Sequence, residues 1–88
     1  MTNEQKHDIL SAWNSAQARN REAQRKLHIL EKAGYTGEAE RIQTNAVLCA
    51  GSEILGMQAV LSALGVEVKT DTLGYAISVK EVTENDRT

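Results

Sequence analysis

The one polar constellation in this 88-residue sequence that rises above its background is basic. Residues 19–32 carry Arg19, Arg21, Arg25, Lys26 and Lys32 against Glu22 and Glu31, a net of +3 in a chain whose total is −2. Arg21, Arg25, His28 and Lys32 follow one another at steps of four, three and four, so they line one face of a helix. Guanidinium groups in such a row suit bidentate, charge-assisted hydrogen bonds to phosphate or carboxylate. An ordinary solvated helix face reads the same way. The acidic total argues against general nucleic-acid binding and leaves only this local patch for anions.

The remaining chemistry-bearing residues are scattered. His7 and His28 sit 21 positions apart, roughly 30 Å along a helix, so they cannot share a metal within one chain. Cys49 is the only cysteine. It excludes an intrachain disulfide or zinc cage, fits a reducing compartment, and among Ala46, Val47, Leu48 and Ala50 reads as a small buried hydrophobe. Glu53 interrupts an apolar helix face, either at its solvent edge or as a buried carboxylate paired with a cation across an interface, such as an arginine of helix one. No glycine-rich phosphate loop, Cys-x-x-Cys, His-Glu-x-x-His or Gly-x-Ser-x-Gly occurs. The expectation is a non-enzymatic protein with no metal and no cofactor.

The elements that would hold these residues are two helices and a β-hairpin in one domain over residues 1–83, followed by a polar tail over 84–88. The expected class is α+β, predominantly α. Thr2 and Gln5 form a capping-box pattern that opens a helix over about 3–33, ended by Gly34. Ile9, Trp13, Ala16, Asn20, Ala23, Leu27 and Leu30 alternate at four and three, a coiled-coil seam with one polar member. After a short turn, with Thr36 as the expected cap, a second helix covers about 37–64 and runs antiparallel to the first. It has two apolar seams. One is Val47, Ala50, Ile54, Met57, Leu61 and Leu64; the other is Ile42, Ala46, Cys49, Gly56, Val60 and Ala63. The first helix can cover one of them. Residues 45–64 contain Glu53 and Gln58 and read as buried helix rather than a membrane span.

From Gly65 the period becomes two. Strands over about 66–70 and 75–82 flank the turn Asp71-Thr72-Leu73-Gly74, with Val66, Val68, Tyr75, Ile77 and Val79 on one apolar face. A lone hairpin is marginal in water, so it should pack on helix two or join a sheet of another subunit. No basic, apolar leader precedes the first helix.

Three stretches give the chain a familiar layout: Met1-Thr2-Asn3-Glu4-Gln5-Lys6, the helix turn Glu31-Lys32-Ala33-Gly34-Tyr35-Thr36, and Leu64-Gly65-Val66-Glu67-Val68 leading into the hairpin. It resembles the small accessory proteins carried by bacteriophages and prophages. Members with known roles often antagonise host defence, by blocking a CRISPR nuclease or by sequestering a nucleotide second messenger in a compact oligomer. The resemblance implies a host-defence antagonist in the host cytoplasm, whose ligand would be small and phosphate-bearing. The residues themselves imply the rest: the two apolar seams and the unmatched hairpin edge a homo-oligomer, the missing motifs a non-enzymatic protein, Glu53 no membrane span, the acidic total no general nucleic-acid binding, and the row Arg21, Arg25, His28 and Lys32 the place for the ligand. The alternative is a protein–protein inhibitor or adaptor that blocks a host nuclease or other partner with its acidic half or hairpin edge; an enzyme is the third reading. Asn20, Ala46 and Gly56 are the expected oligomer contacts, Asn20 meeting its own copy or Gln43, Thr44 or Glu53. Ala46→Leu or Gly56→Leu should therefore loosen the assembly, seen as a lower melting temperature and a lower mass, since overpacking costs about 1–3 kcal/mol.

Overall fold

The computed structural model describes residues 1–35 and 37–82. Helix α1 spans Asn3–Lys32, α2 spans Glu38–Ala63, and strands β1 (Val66–Thr70) and β2 (Ala76–Glu81) form one antiparallel hairpin. The chain is α+β and predominantly α, as expected, and measures 53 × 20 × 19 Å. The tail over 84–88 lies outside the described residues.

Each helix end has a local cause. The Gln5 amide donates to Thr2 Oγ1 at 3.1 Å and the Thr2 amide donates to Gln5 Oε1 at 2.9 Å, the reciprocal capping box. At the other end Gly34 takes φ +78°. The Tyr35 amide reaches back to the Leu30 carbonyl and the Gly34 amide to Glu31, the Schellman closure that a left-handed residue permits. The start of α2 departs from expectation. Its cap is Gly37, without a side-chain hydrogen bond; Thr36, the expected cap, lies outside the described residues. Glu38 and Glu40 in the first turn supply favourable negative charge instead.

The seam of α1 is as the spacing implies. Trp13, Ala16, Asn20 and Ala23 are buried, and Ile9, Leu27 and Leu30 are half-buried. On α2 the first seam faces α1 through Val47, Ala50, Ile54, Met57 and Leu61, but Leu64, at the helix end, is exposed. The reading of 45–64 as buried helix is corrected: Ala50 is the one buried residue of α2. Cys49, expected inside, is exposed. One partner helix and a small hairpin cannot surround a 26-residue helix.

Asn20 is 7% exposed, and its partners correct the expectation. Its amide donates to the main-chain carbonyl of Val47 at 3.1 Å and its Oδ1 accepts from Gln24 Nε2 at 2.5 Å. Neither a second copy nor Gln43, Thr44 or Glu53 is needed to satisfy it. Asn20 fixes the register of α1 against α2 inside one chain, beside Gly51, where an added Cβ would lie 3.6 Å from Nδ2.

The hairpin does not sit on helix two alone. β2 packs on α1 and β1 on α2, so the hairpin straps across one side of the helix pair. Its turn is organised by Asp71, whose Oδ1 accepts the amides of Leu73 and Tyr75, and by Gly74 at φ +86°. Three α1 side chains then hold its main chain. Trp13 Nε1 donates to Gly74 O at 3.0 Å and Gln17 Nε2 to Leu73 O at 2.8 Å. Asn14 grips Ala76 twice, donating to its carbonyl at 3.1 Å and accepting its amide at 2.7 Å.

The register slips between Lys69 and Thr70, since Ser78 pairs with Lys69 but Ala76 with Thr70. Ile77 is the extra residue. The expected face of Tyr75, Ile77 and Val79 is therefore broken: Ala76 and Val79 turn inward and Ile77 is 54% exposed.

Two measurements test these anchors. Asn14→Ala removes both bonds to Ala76 and should cost about 1–3 kcal/mol in thermal or urea unfolding, with faster amide exchange confined to the hairpin. Asn20→Leu should change stability by about 1 kcal/mol or less, because the Val47 carbonyl keeps its helical partner and Gln24 turns to water. Asn20→Asp should destabilise more, by about 2–3 kcal/mol, since a carboxylate would face that carbonyl while desolvated.

Candidate functional site

Helix geometry does bring Arg21, Arg25, His28 and Lys32 onto one side of α1, all four exposed. They stand on its outer surface. Arg25 is engaged by its neighbour: Nε and Nη2 meet the two carboxylate oxygens of Glu22 at 3.0 and 2.6 Å. The hydrogen bond from Arg25 holds the Glu22 carboxyl below its ordinary range and raises the guanidinium in turn. Arg21, His28 and Lys32 have no ion pair among the described residues. The stripe therefore offers two separated cations, Arg21 and Lys32, with the imidazole of His28 between them and an Arg25 already neutralised locally, without walls to enclose a ligand.

Concavity lies elsewhere. A cleft of about 500 Å³ opens between the C-terminal part of α2 and the hairpin, lined by Gln58 and Ser62 of α2, Lys69 and Lys80 of the strands, Ser78, and Trp13 of α1. The strand pairing puts Lys69 opposite Ser78 and Lys80 opposite Glu67, so one cation has a hydroxyl across from it and the other a carboxylate. Donors outnumber carboxylates around this cleft, which suits an anionic molecule, and the buried Trp13 closes its floor. Sequence reasoning missed it. Lys69 and Lys80 are eleven residues apart, and only the hairpin register places them on one face. Gln58 and Ser62 reach the same cleft because β1 folds back along α2.

The opposite side of the helix pair carries two further grooves. One, of about 560 Å³, includes Arg19, Lys26, Ala46 and Cys49; the other, of about 500 Å³, includes Asp8, Ile9, Gly56 and Val60. Glu53 stands at the solvent edge, as the first reading had it; it does pair with Arg19 of α1 at 3.0 Å, but as an exposed carboxylate rather than a buried one. Both side chains are about half exposed, so the pair adds little stability. Ala46 and Gly56 are exposed, and an added Cβ at Gly56 would meet nothing within 4 Å. Close packing at Gly56 is thus not explained within the chain. Among the described residues no three His, Cys, Asp or Glu side chains cluster as a metal site. One helix, α2, is long and apolar enough to cross a bilayer by length and composition, with a mean hydropathy of 1.5 over 18 residues, only 6% of them buried.

The chain matches no family model, no curated protein and no solved structure.

Because the folded pKa of Glu22 lies below its unfolded value, the stabilisation from its pair with Arg25 is present above the ordinary carboxylate range and is lost as pH falls through the folded value. An NMR titration of Glu22 should show its midpoint returning to the ordinary range in Arg25→Gln. An unchanged midpoint would mean that Arg25 does not engage Glu22 in solution.

Proposed function

We propose that this chain is a non-enzymatic binding protein that works as an assembly of copies and sequesters a small phosphate-bearing ligand. The class it fits is the phage-carried antagonists of host defence that its layout resembles, acting in the host cytoplasm, where Cys49 stays reduced. The observation that carries the ligand reading is the cleft between α2 and the hairpin, with Lys69, Lys80, Gln58, Ser62 and Ser78 around about 500 Å³ and Trp13 beside them. A volume of this order matches small-molecule sites. Lysine donors suit phosphate as point charges, and the hydroxyls and amide supply directed bonds. The stripe at Arg21, Arg25, His28 and Lys32 is the competing site for the same chemistry.

A second reading is a protein–protein inhibitor, and the free edge of β1 favours it. Among the described residues the sheet has two strands, and β1 has a strand neighbour on one side only. An extended segment of a partner could add there through main-chain bonds.

Protein expressed in bacteria, purified and boiled should release a phosphate-bearing small molecule detectable by mass spectrometry. Lys69→Glu with Lys80→Glu should abolish that release, while Arg21→Glu with Lys32→Glu should leave it intact. The reverse pattern would move the site to the stripe. No released ligand, together with capture of one stoichiometric host protein, would replace the first reading by the second.

A further inference from the structure

Between Ile42 and Ala63, α2 turns toward solvent a surface that its own chain leaves uncovered. Cys49, Ser52, Gly56, Ala59 and Ala63 recur at three, four, three and four, and all are exposed. Leu48, Leu55 and Val60 flank them at 62, 66 and 61% exposure. Asn45, four residues before Cys49, gives the row a polar end. Over this length the one charged residue of α2 is Glu53, at the edge and tied to Arg19. Gly56 costs about 1 kcal/mol against alanine in a helix interior, yet no group of its own chain lies where its Cβ would be. Single exposed hydrophobes need no explanation, but a continuous apolar face does.

We propose that this face is covered by the same face of a second copy, the two α2 helices lying antiparallel about a two-fold axis midway between Ser52 and Gly56. The inference rests on the assembly part of the proposed function and is independent of the ligand. In this pairing small residues meet at the centre, where Ser52 opposes Gly56 and Cys49 opposes Ala59. At each end Ala63 meets Asn45, whose amide stays hydrated at the rim, where interfaces are ordinarily polar. Backbones at the centre then approach to the short end of helix packing distances, about 8 Å. The grooves beside α1 give the direction. Asp8 stands toward one end and Lys26 toward the other, so an antiparallel copy brings opposite charges together and opposes the helix dipoles. A parallel copy would instead align the two helix dipoles.

Size and chemistry both favour a copy over lipid. The 22 residues from Ile42 to Ala63 present roughly 33 Å by 10 Å, about 330 Å² per copy in projection. The groove walls formed by Ile9 and Val60 extend it toward the roughly 1,200 Å² total of the smaller specific interfaces. Helices that lie on membranes use bulky apolar residues flanked by Lys and Arg; this seam is small, and Glu53 and Asp8 border it. The inner side of α2 is held to a polar α1 by Asn20 and Arg19, so lipid could not surround it.

The test uses the full chain at micromolar concentration. Light scattering should give a mass near twice 9.6 kDa, and the melting temperature should rise with concentration. Leu55→Glu and Gly56→Leu should weaken dimerisation by roughly tenfold or more while circular dichroism retains the helix content. Ala59→Cys provides a nearly isosteric second test. Mild oxidation with diamide, which takes up the two thiol hydrogens, should link Cys49 of one copy to the new thiol of the other, whereas wild type should form no disulfide dimer. Cys49 lies roughly 15 Å from its own copy in this arrangement. A wild-type monomer would overturn both this inference and the assembly reading. An oligomer insensitive to Leu55→Glu and Gly56→Leu, a Cys49–Cys49 dimer, or binding of the wild type to phosphatidylcholine vesicles would overturn this inference alone.

Discussion

A two-stranded hairpin has too little apolar surface to stand alone in water, and in this protein its place depends on one clasp. Trp13, Asn14 and Gln17, within little more than a turn of α1, bind main-chain groups of Leu73, Gly74 and Ala76. Asn14 behaves like an extra strand residue, offering one donor and one acceptor to Ala76. These bonds decide which side of the helix pair the hairpin covers. They hold Val66 and Val79 over the helices, and they position Lys69, Lys80 and Ser78 around the cleft. Each is a bond to the backbone, so the clasp reads the path of the hairpin chain rather than its side chains.

The clasp also explains the unequal treatment of the two sides of α2. With the hairpin on one flank and α1 beneath, the side of α2 bearing Leu48, Leu55, Gly56 and Val60 is left bare. The short β-structure thus indirectly selects the surface through which the chain would meet a copy. Charge follows the same division. The basic stripe of α1 lies apart from the apolar face, and Glu53 with Arg19 marks its border. The proposed anion binding and self-association would therefore be compatible in one molecule, because they would use different sides of it.

Much of the architecture was written in short-range sequence signals. The capping box at Thr2 and Gln5, the left-handed stop at Gly34 and the four–three seam from Ile9 to Leu30 each depend on residues within a turn or a few turns of one another. The change to a period of two after Gly65 marked the hairpin for the same reason. Hydrophobic spacing also placed Asn20 in the seam, but left its partner open between a second copy and helix two, since a main-chain carbonyl such as that of Val47 carries no signature in the sequence.

What only the tertiary structure decided is long-range. Ile77 turned outward because a bulge shifted the strand phase while Asn14 held Ala76, a contact 62 residues apart in the chain. Nothing in the sequence marks Asn14 and Gln17, because an amide that binds a distant backbone looks no different from one that binds water. Lys69 and Lys80 joined Gln58 and Ser62 only through the fold-back of β1. Cys49 and Gly56 came to lie in the open because burial is set by how much partner surface exists, and one helix with one hairpin supplies enough for a single side of α2. Local sequence determined the elements and their inner faces; docking of the hairpin determined the cleft and the face left uncovered.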